Sequence, residues 1–279
     1  MSKRRVKQAA LLGGLTLAVC SVAPAMAQDK AEEIIQSNCL GCHQETGDPA
    51  HPWSRISMLR KTPEGWALTL RRMREIRGAP LSPEDEAVLI KYLADNQGLA
   101  PEETEDYRYI LERQPNIVET NVDPDLQPMC ARCHSAARFS LQRRPASEWE
   151  KLVHFHVGQF PTIELQAMAR DRPWFQIATQ QVVPRLGEMF PLETEAWKNW
   201  KQASKPILEG SWRVAGYLPE KGDYDGRLTA RKTAEDRYDL TLTGTYRDGR
   251  NSRARVRQMS SPATSGGRTS ISARSRSGR

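Results

Sequence analysis

Residues 39–43 and 130–134 of the chain are CLGCH and CARCH, and these two pentapeptides determine how the rest of the sequence is interpreted. Both fit the pattern C-x-x-C-H, in which two thiols bind a haem covalently and the following histidine becomes an axial ligand of the iron. The predicted attachment residues are Cys39, Cys42, His43, Cys130, Cys133 and His134. The sequence therefore predicts two covalently bound haems c.

All cysteines outside the N-terminal segment belong to these motifs. The chain has five cysteines, of which Cys20 lies in a predicted export signal. A thioredoxin-like redox pair would need a βαβ context, whereas the sequence around both motifs looks helical. A structural zinc site would have to join two pairs that are 91 positions apart, although each pair has its own histidine. Haem attachment is the better interpretation.

Residues 1–27 have the pattern of an export signal. Four basic side chains precede an apolar stretch over residues 9–19, and Ala25-Met26-Ala27 suits a signal peptidase. We predict cleavage after Ala27 and a periplasmic protein. The alternative is a lipoprotein anchored at Cys20, which is disfavoured because Val19 is larger than the small residue expected before a lipidated cysteine. No apolar run reaches the roughly 18 residues of a membrane span.

The positive net charge comes from the two ends of the chain. The whole sequence carries +7, while residues 1–27 carry +4 and residues 250–279 carry +8, which leaves −5 for residues 28–249. An acidic central region has no overall attraction to a phosphate backbone. A nucleic acid is therefore not an expected partner.

Residues 28–100 are predicted to form a lobe like a small class I cytochrome c around the first haem. Helices are expected over residues 30–38, from Pro63 through Met73, and from Ser82 to Gly98. Met73 precedes the loop at residues 77–80 and is the preferred sixth iron ligand. Met58, His51 and an open site remain alternatives, since a methionine on a helix more often fills a core.

Residues 101–206 are predicted to form a second cytochrome lobe. A helix is expected over residues 107–113, and a capping box at residues 147–150 predicts the start of another. On that helix His156 shares the apolar face with Trp149, whereas His154 points away. His156 is the preferred sixth ligand of the second haem. The alternatives are His154, Met129, Met168 and Met189.

The two ligand sets imply a direction of electron flow. Histidine–methionine ligation raises the potential of a haem, and bis-histidine ligation tends to give a lower one. We expect electrons to enter at the second haem and to leave through the first.

The character of the sequence changes after Pro206. Strands are predicted over residues 211–218, 224–233 and 236–247, as the start of an antiparallel β domain at residues 207–249. Three strands are too few for a sandwich. Residues 250–279, with eight arginines and no acid, are predicted to be a disordered basic tail. The tail is interpreted as the frameshifted or truncated end of a longer chain, and the alternative is a genuine polybasic arm. The predicted class is a multidomain α + β protein.

Three stretches resemble the dihaem α subunit of quinohemoprotein amine dehydrogenase. They are residues 59–66 (LRKTPEGW), residues 107–113 (YRYILER), and the segments within residues 130–162, including LQRR at 141–144 and LVHFHVGQFPT at 152–162. The resemblance covers roughly residues 29–249. It is more specific than the two haem motifs alone.

The resemblance implies a periplasmic heterotrimer with a propeller β subunit and a small γ subunit. In that family the γ subunit carries a cysteine tryptophylquinone that oxidises primary amines, and the α-subunit haems pass electrons to a soluble copper protein or cytochrome. Most of the family's C-terminal β region is missing from this sequence. A free-standing dihaem carrier and a dihaem peroxidase are the alternative functions.

Overall fold

An α-rich region is followed by a β domain, as the sequence predicts. The computed structural model describes residues 23–111, 117–165, 172–204, 207–218, 221–234, 237–247 and 249–260. The predicted signal lies mostly outside these residues. Its last five positions lie in the first helix, α1 (Ala23–Asn38).

Three helices build the lobe that contains the first motif. They are α1, α2 (Pro63–Arg77) and α3 (Pro83–Asn96). Thr62 and Ser82 cap α2 and α3, each accepting a hydrogen bond from the backbone N–H three residues later. α3 packs against both other helices. The buried cluster between them contains Ile35, Trp66, Leu70, Leu89 and Leu93.

Short helices build the lobe that contains the second motif. They are α4 (Pro101–Thr104), α5 (Arg108–Leu111), α6 (Leu126–Cys130), α7 (Ala137–Ser140), α8 (Ala146–Gln159), α9 (Thr162–Leu165), α10 (Trp174–Ile177), α11 (Val183–Met189) and α12 (Glu195–Gln202). A 3₁₀ turn (Glu105–Tyr107) precedes α5, and a π-helical turn (Ala178–Val182) joins α10 to α11. Trp149, Trp174, Val182 and Leu186 lie in the core of this lobe.

The start of α8 differs from the capping-box prediction. The backbone N–H groups of Glu148 and Trp149 donate to the carbonyl of Pro145, which makes Pro145 the N-cap. Ser147 is therefore already inside the helix, and the predicted capping box is wrong. The extended conformation of Pro145 starts the helix earlier than the side-chain pattern indicated.

Two very short strands join the lobes. β1 (Arg60–Lys61) pairs antiparallel with β2 (Gln142–Arg143), so that Arg60 lies opposite Arg143. β1 leads directly into α2, and β2 leads into α8. The pairing thus brings the starts of α2 and α8 together.

The β domain is a four-stranded antiparallel sheet in the order β3-β4-β5-β6. The strands are β3 (Gly210–Leu218), β4 (Gly222–Ala234), β5 (Arg237–Tyr246) and β6 (Asn251–Ser260). The first three match the predicted strands closely. Gly226 of β4 lies opposite Gly244 of β5, where an added Cβ on Gly226 would come within 2.5 Å of a backbone oxygen.

The fourth strand corrects the prediction of a disordered tail from residue 250. Residues 251–260 pair with β5, Thr245 lying opposite Asn251 and Arg237 opposite Ser260. The disorder prediction rested on charge and composition. It neglected the alternation of arginine with smaller residues at 253–257 and the hydrogen-bonding edge that β5 offers. Residues 261–279 lie outside the described part.

Candidate haem-attachment site

The first motif continues α1 as a tight turn. The backbone N–H of Cys42 and that of His43 both donate to the carbonyl of Cys39, at 3.1 and 2.9 Å. Cys39 and Leu40 pack against the core of the first lobe. The turn therefore holds one cysteine half-buried while Cys42 remains exposed.

The second motif begins at the end of α6. Cys130 is the last residue of that helix and is half-buried, whereas Cys133 is exposed. The indole N–H of Trp174 donates to the carbonyl of Met129 at 2.9 Å, which attaches this helix end to the lobe core. Both motifs thus present one partly buried and one accessible sulfur.

The four thiols are free of disulfides. Burial raises the pKa of the Cys39 thiol and raises that of Cys130 to about 12. These thiols are therefore held neutral, although a thiolate is the better nucleophile. Within the described residues no three His, Cys, Asp or Glu side chains come together as a metal site.

Both motif histidines have one ring nitrogen held by the backbone. Nδ1 of His43 lies 3.0 Å from the carbonyl oxygen of Ser54, and Nδ1 of His134 lies 3.0 Å from that of Ser135. A histidine that ligates a metal usually donates its second ring N–H to a carbonyl, which fixes the tautomer and leaves Nε2 for the metal. The two histidines therefore fit the role of axial haem ligands.

Glu119 anchors the segment that follows the second motif. Its carboxylate accepts hydrogen bonds from the Ser135 hydroxyl at 2.6 Å, the Ala136 N–H at 2.9 Å and the Tyr109 hydroxyl. Despite a contribution from burial that raises it, these bonds hold the pKa of Glu119 below its usual value. The Ser135 carbonyl that orients His134 is thereby fixed. The spacing of residues in the second C-x-x-C-H motif does not predict that Glu119 takes part.

Among the candidates for the second sixth ligand, His156 best combines burial and orientation. It is half-buried, and its Nδ1 lies 2.8 Å from the carbonyl oxygen of Leu152. Burial lowers the pKa of His156, and the nearby positive charges of His134, Arg138 and Arg144 lower it further.

The other candidates for that position are placed differently. His154 is exposed and packs edge-on against Phe175, with ring centroids 5.0 Å apart. Met129 is buried in the lobe core, and Met189 lies at the exposed end of α11. Met168 lies outside the described residues.

The three candidate residues in the first lobe lie in different surroundings. Met73 lies within α2, one turn before the helix ends. Gly78, in the left-handed conformation, caps the helix, and its backbone N–H donates to the Met73 carbonyl. Met73 and Met58 are both half-buried. His51 is held by Asp48, whose carboxylate lies 3.1 Å from its Nδ1.

An internal repeat, missed in the sequence, relates the two lobes. Arg60-Lys61 forms β1, and Arg143-Arg144 lies at the end of β2. Six positions after the first arginine of each pair comes a buried tryptophan, on α2 and α8 respectively. The equivalent pairs are Arg60 and Arg143, Lys61 and Arg144, Trp66 and Trp149, and Met73 and His156. Each helix begins three positions after the first arginine. The short RKTPEGW and RRPASEW segments were the available signal.

A buried ion network lies where the repeats meet. The guanidinium of Arg60 donates to both carboxylate oxygens of Glu103, at 2.9 and 2.8 Å, and Arg143 donates to one of them at 3.1 Å. Burial raises the pKa of Glu103, but the two arginines outweigh this and keep it below the usual value. Glu103, on α4, thereby ties β1 of the first lobe to β2 of the second.

Two models of known protein families together match most of the chain. One for the haem-binding region of the quinohemoprotein amine dehydrogenase α subunit matches residues 29–197, and one for domain II of the same subunit matches residues 205–259. The second match includes nine of the ten residues of β6. A search among curated proteins finds no match. No helix in the described part of the chain is long and apolar enough to cross a membrane.

Proposed function

The chain belongs to the family of quinohemoprotein amine dehydrogenase α subunits, and from this premise we propose that it is the dihaem electron-transfer subunit of such an enzyme. The observation that carries the proposal is the pair of C-x-x-C-H motifs with carbonyl-oriented histidines. When bound, a haem supplies one-electron oxidation and reduction. Cys39, Cys42 and His43 would hold one haem, and Cys130, Cys133 and His134 would hold the other.

The internal repeat supports the proposed sixth ligands. His156 lies seven positions after Trp149 on α8, and Met73 lies seven positions after Trp66 on α2. Seven residues are close to two helical turns, so both side chains lie on the same face as the buried tryptophan. We therefore assign Met73 to the first haem and His156 to the second.

This ligand assignment sets the order of electron transfer. Methionine ligation raises the potential of the first haem relative to the bis-histidine second haem. With these ligands, the second haem would be the entry point for electrons, and the first would pass them to a soluble copper protein or cytochrome. The protein works in the periplasm after removal of its signal.

Amine oxidation belongs to a partner subunit. A cysteine tryptophylquinone needs a cysteine, and all four cysteines after residue 27 belong to haem motifs. A quinone-bearing γ subunit and a propeller β subunit are the proposed partners.

The native complex tests this function. We expect a primary amine to reduce both haems in the purified complex, and the second haem to titrate at the lower potential. Stopped-flow spectroscopy and potentiometry measure these two results. Two results together would identify a free carrier. The chain would purify without partner subunits, and no amine would reduce its haems even after the products of the neighbouring genes were added. A high-spin haem that reacts with peroxide would identify a peroxidase.

A further inference from the structure

Arg55, between the first motif and β1, has a backbone conformation that is unusual for its residue type. Its φ is 66°, and among the described residues it is the one non-glycine residue with a positive φ. The backbone N–H of Ile56 donates to the carbonyl of Ser54 at 2.8 Å, which closes a three-residue turn around Arg55. A turn of this kind with a positive central φ is the rarer, strained form of γ-turn. Such a conformation persists only where the surrounding structure fixes it.

The carbonyl that begins this turn is the one that orients His43. Nδ1 of His43 lies 3.0 Å from the Ser54 carbonyl oxygen. The Ser54 N–H donates to the carbonyl of Gln44, the residue after His43, at 2.8 Å. Because the planar peptide group that carries the Ser54 carbonyl ends at the nitrogen of Arg55, its direction changes with the φ of Arg55. The conformation of Arg55 therefore decides whether the Ser54 carbonyl meets the histidine.

The side chain of Arg55 contacts the other lobe. Its Nε lies 3.7 Å from Oε2 of Glu148, which is in the first turn of α8. The side chain of Glu148 is only 3% exposed, and among the described residues its Oε2 has no hydrogen-bond partner. A buried carboxylate oxygen without a hydrogen bond needs a cation close by. The guanidinium of Arg55 supplies one, so the ion pair resists any movement of Arg55 away from α8.

Arginine is an unexpected residue type at the centre of this turn. Glycine adopts a positive φ without the steric penalty that a Cβ imposes, and it is the usual residue at such positions. The Arg55 side chain is half-exposed, so burial in a core does not explain its presence. The contact with Glu148 does explain it, because glycine could not make that contact.

We propose that Arg55 is a positioning residue for the first haem, held in its left-handed conformation by Glu148 of the second lobe. This inference rests on the proposed haem attachment. The ion pair fixes the turn, and the turn directs the Ser54 carbonyl toward Nδ1 of His43. A hydrogen bond at that nitrogen raises the basicity of a ligating imidazole. The start of α8 in the second lobe thereby influences the potential of the first haem.

Two variants that remove the same charge test the proposal in the full haem-loaded chain. In Arg55→Ala the ion pair is lost and a positive φ remains unfavourable, so the turn should relax and the hydrogen bond to His43 should weaken. In Arg55→Gly the ion pair is also lost, but glycine tolerates the turn and should keep that bond. The direct effect of the lost charge is the same in both variants and cancels in their comparison.

The potential of the first haem should be higher in Arg55→Ala than in Arg55→Gly. A weaker hydrogen bond makes His43 a poorer donor, which favours the reduced iron. We expect a roughly threefold difference in the reduction equilibrium between the two variants, about 28 mV for one electron. Potentiometry with EPR distinguishes the two haems, and nitrogen-15 NMR of the His43 ring reports the hydrogen bond itself. The second haem should have the same potential in both variants.

Glu148→Gln and Lys151→Met test the ion pair from the side of α8. Glu148→Gln should move the Nδ1 resonance of His43 in the same direction as Arg55→Ala. Lys151→Met is the matched control, because the exposed Lys151 pairs with the other oxygen of Glu148, at 2.5 Å, and its removal leaves the Arg55 contact in place. That variant should leave the His43 resonance unchanged.

Two outcomes would overturn the positioning role. One is equal first-haem potentials and equal His43 resonances in Arg55→Ala and Arg55→Gly. The other is a His43 resonance that Lys151→Met moves as far as Glu148→Gln does. Failure of the wild-type chain to attach haem at all would instead overturn the proposed function.

Discussion

Replacement of Met73 or His156 by alanine is expected to remove the sixth ligand of one haem and leave the other haem unchanged. In Met73→Ala the first haem should become high-spin and bind carbon monoxide readily when reduced. In His156→Ala the same change should occur at the second haem. The physical reason is that no other side chain takes the place of a ligand held at a fixed position on α2 or α8. Optical and EPR spectra of the loaded chain measure both effects.

Matched controls lie nearby on the chain. His154 is on the same helix as His156 but is exposed, and Met58 precedes α2 in the first lobe. His154→Ala and Met58→Ala should retain two low-spin haems. If His154→Ala produced the high-spin second haem, or Met58→Ala the high-spin first haem, the ligand assignment from the internal repeat would be wrong.

Replacement of Glu103 by glutamine is expected to destabilise the folded chain by about 3–5 kcal/mol, the usual cost of removing one partner from a buried ion network. Arg60 and Arg143 would remain buried without their shared carboxylate. The loss should appear as a lower midpoint of urea unfolding. Glu102→Gln changes the exposed neighbour on α4 and should have little effect.

The effect of Glu103→Gln should depend on pH in one direction. Because the folded state holds the pKa of Glu103 below its usual value, the carboxylate stabilises the fold at neutral pH, and this contribution is lost as the pH falls below about 4. The difference between wild type and variant should therefore shrink in acid. A difference that grew in acid, or equal midpoints at pH 7, would contradict the assigned role of the network.

Local chemistry explains what could be predicted from the sequence. The haem motifs, the Ser82 cap and the alternating pattern of the first three strands of the β domain each depend on residues that lie close together in the chain. β6 was missed because its basic composition hid a strand that forms only against the edge of β5. The side of α8 that carries His156 followed from helical spacing alone, even though the start of that helix was misplaced.

Long-range contacts explain what could not be predicted. Glu103 meets Arg60 across 43 positions and Arg143 across 40, and no local pattern marks it as their partner. Glu119 reaches the second motif from 16 positions upstream of Ser135. The repeat that relates Met73 to His156 has only a short sequence signal, and the pairing of β1 with β2 that aligns its two halves is a long-range contact.

Counting the haems attached to the mature chain tests the central claim most directly. Expressed with haem-ligation machinery, the chain should show by intact mass two covalent haems, and by pyridine haemochrome absorbance two haems per polypeptide. Replacing Cys130 and Cys133 by alanine should leave one. A colourless chain, or a mass without added porphyrin, would contradict the account.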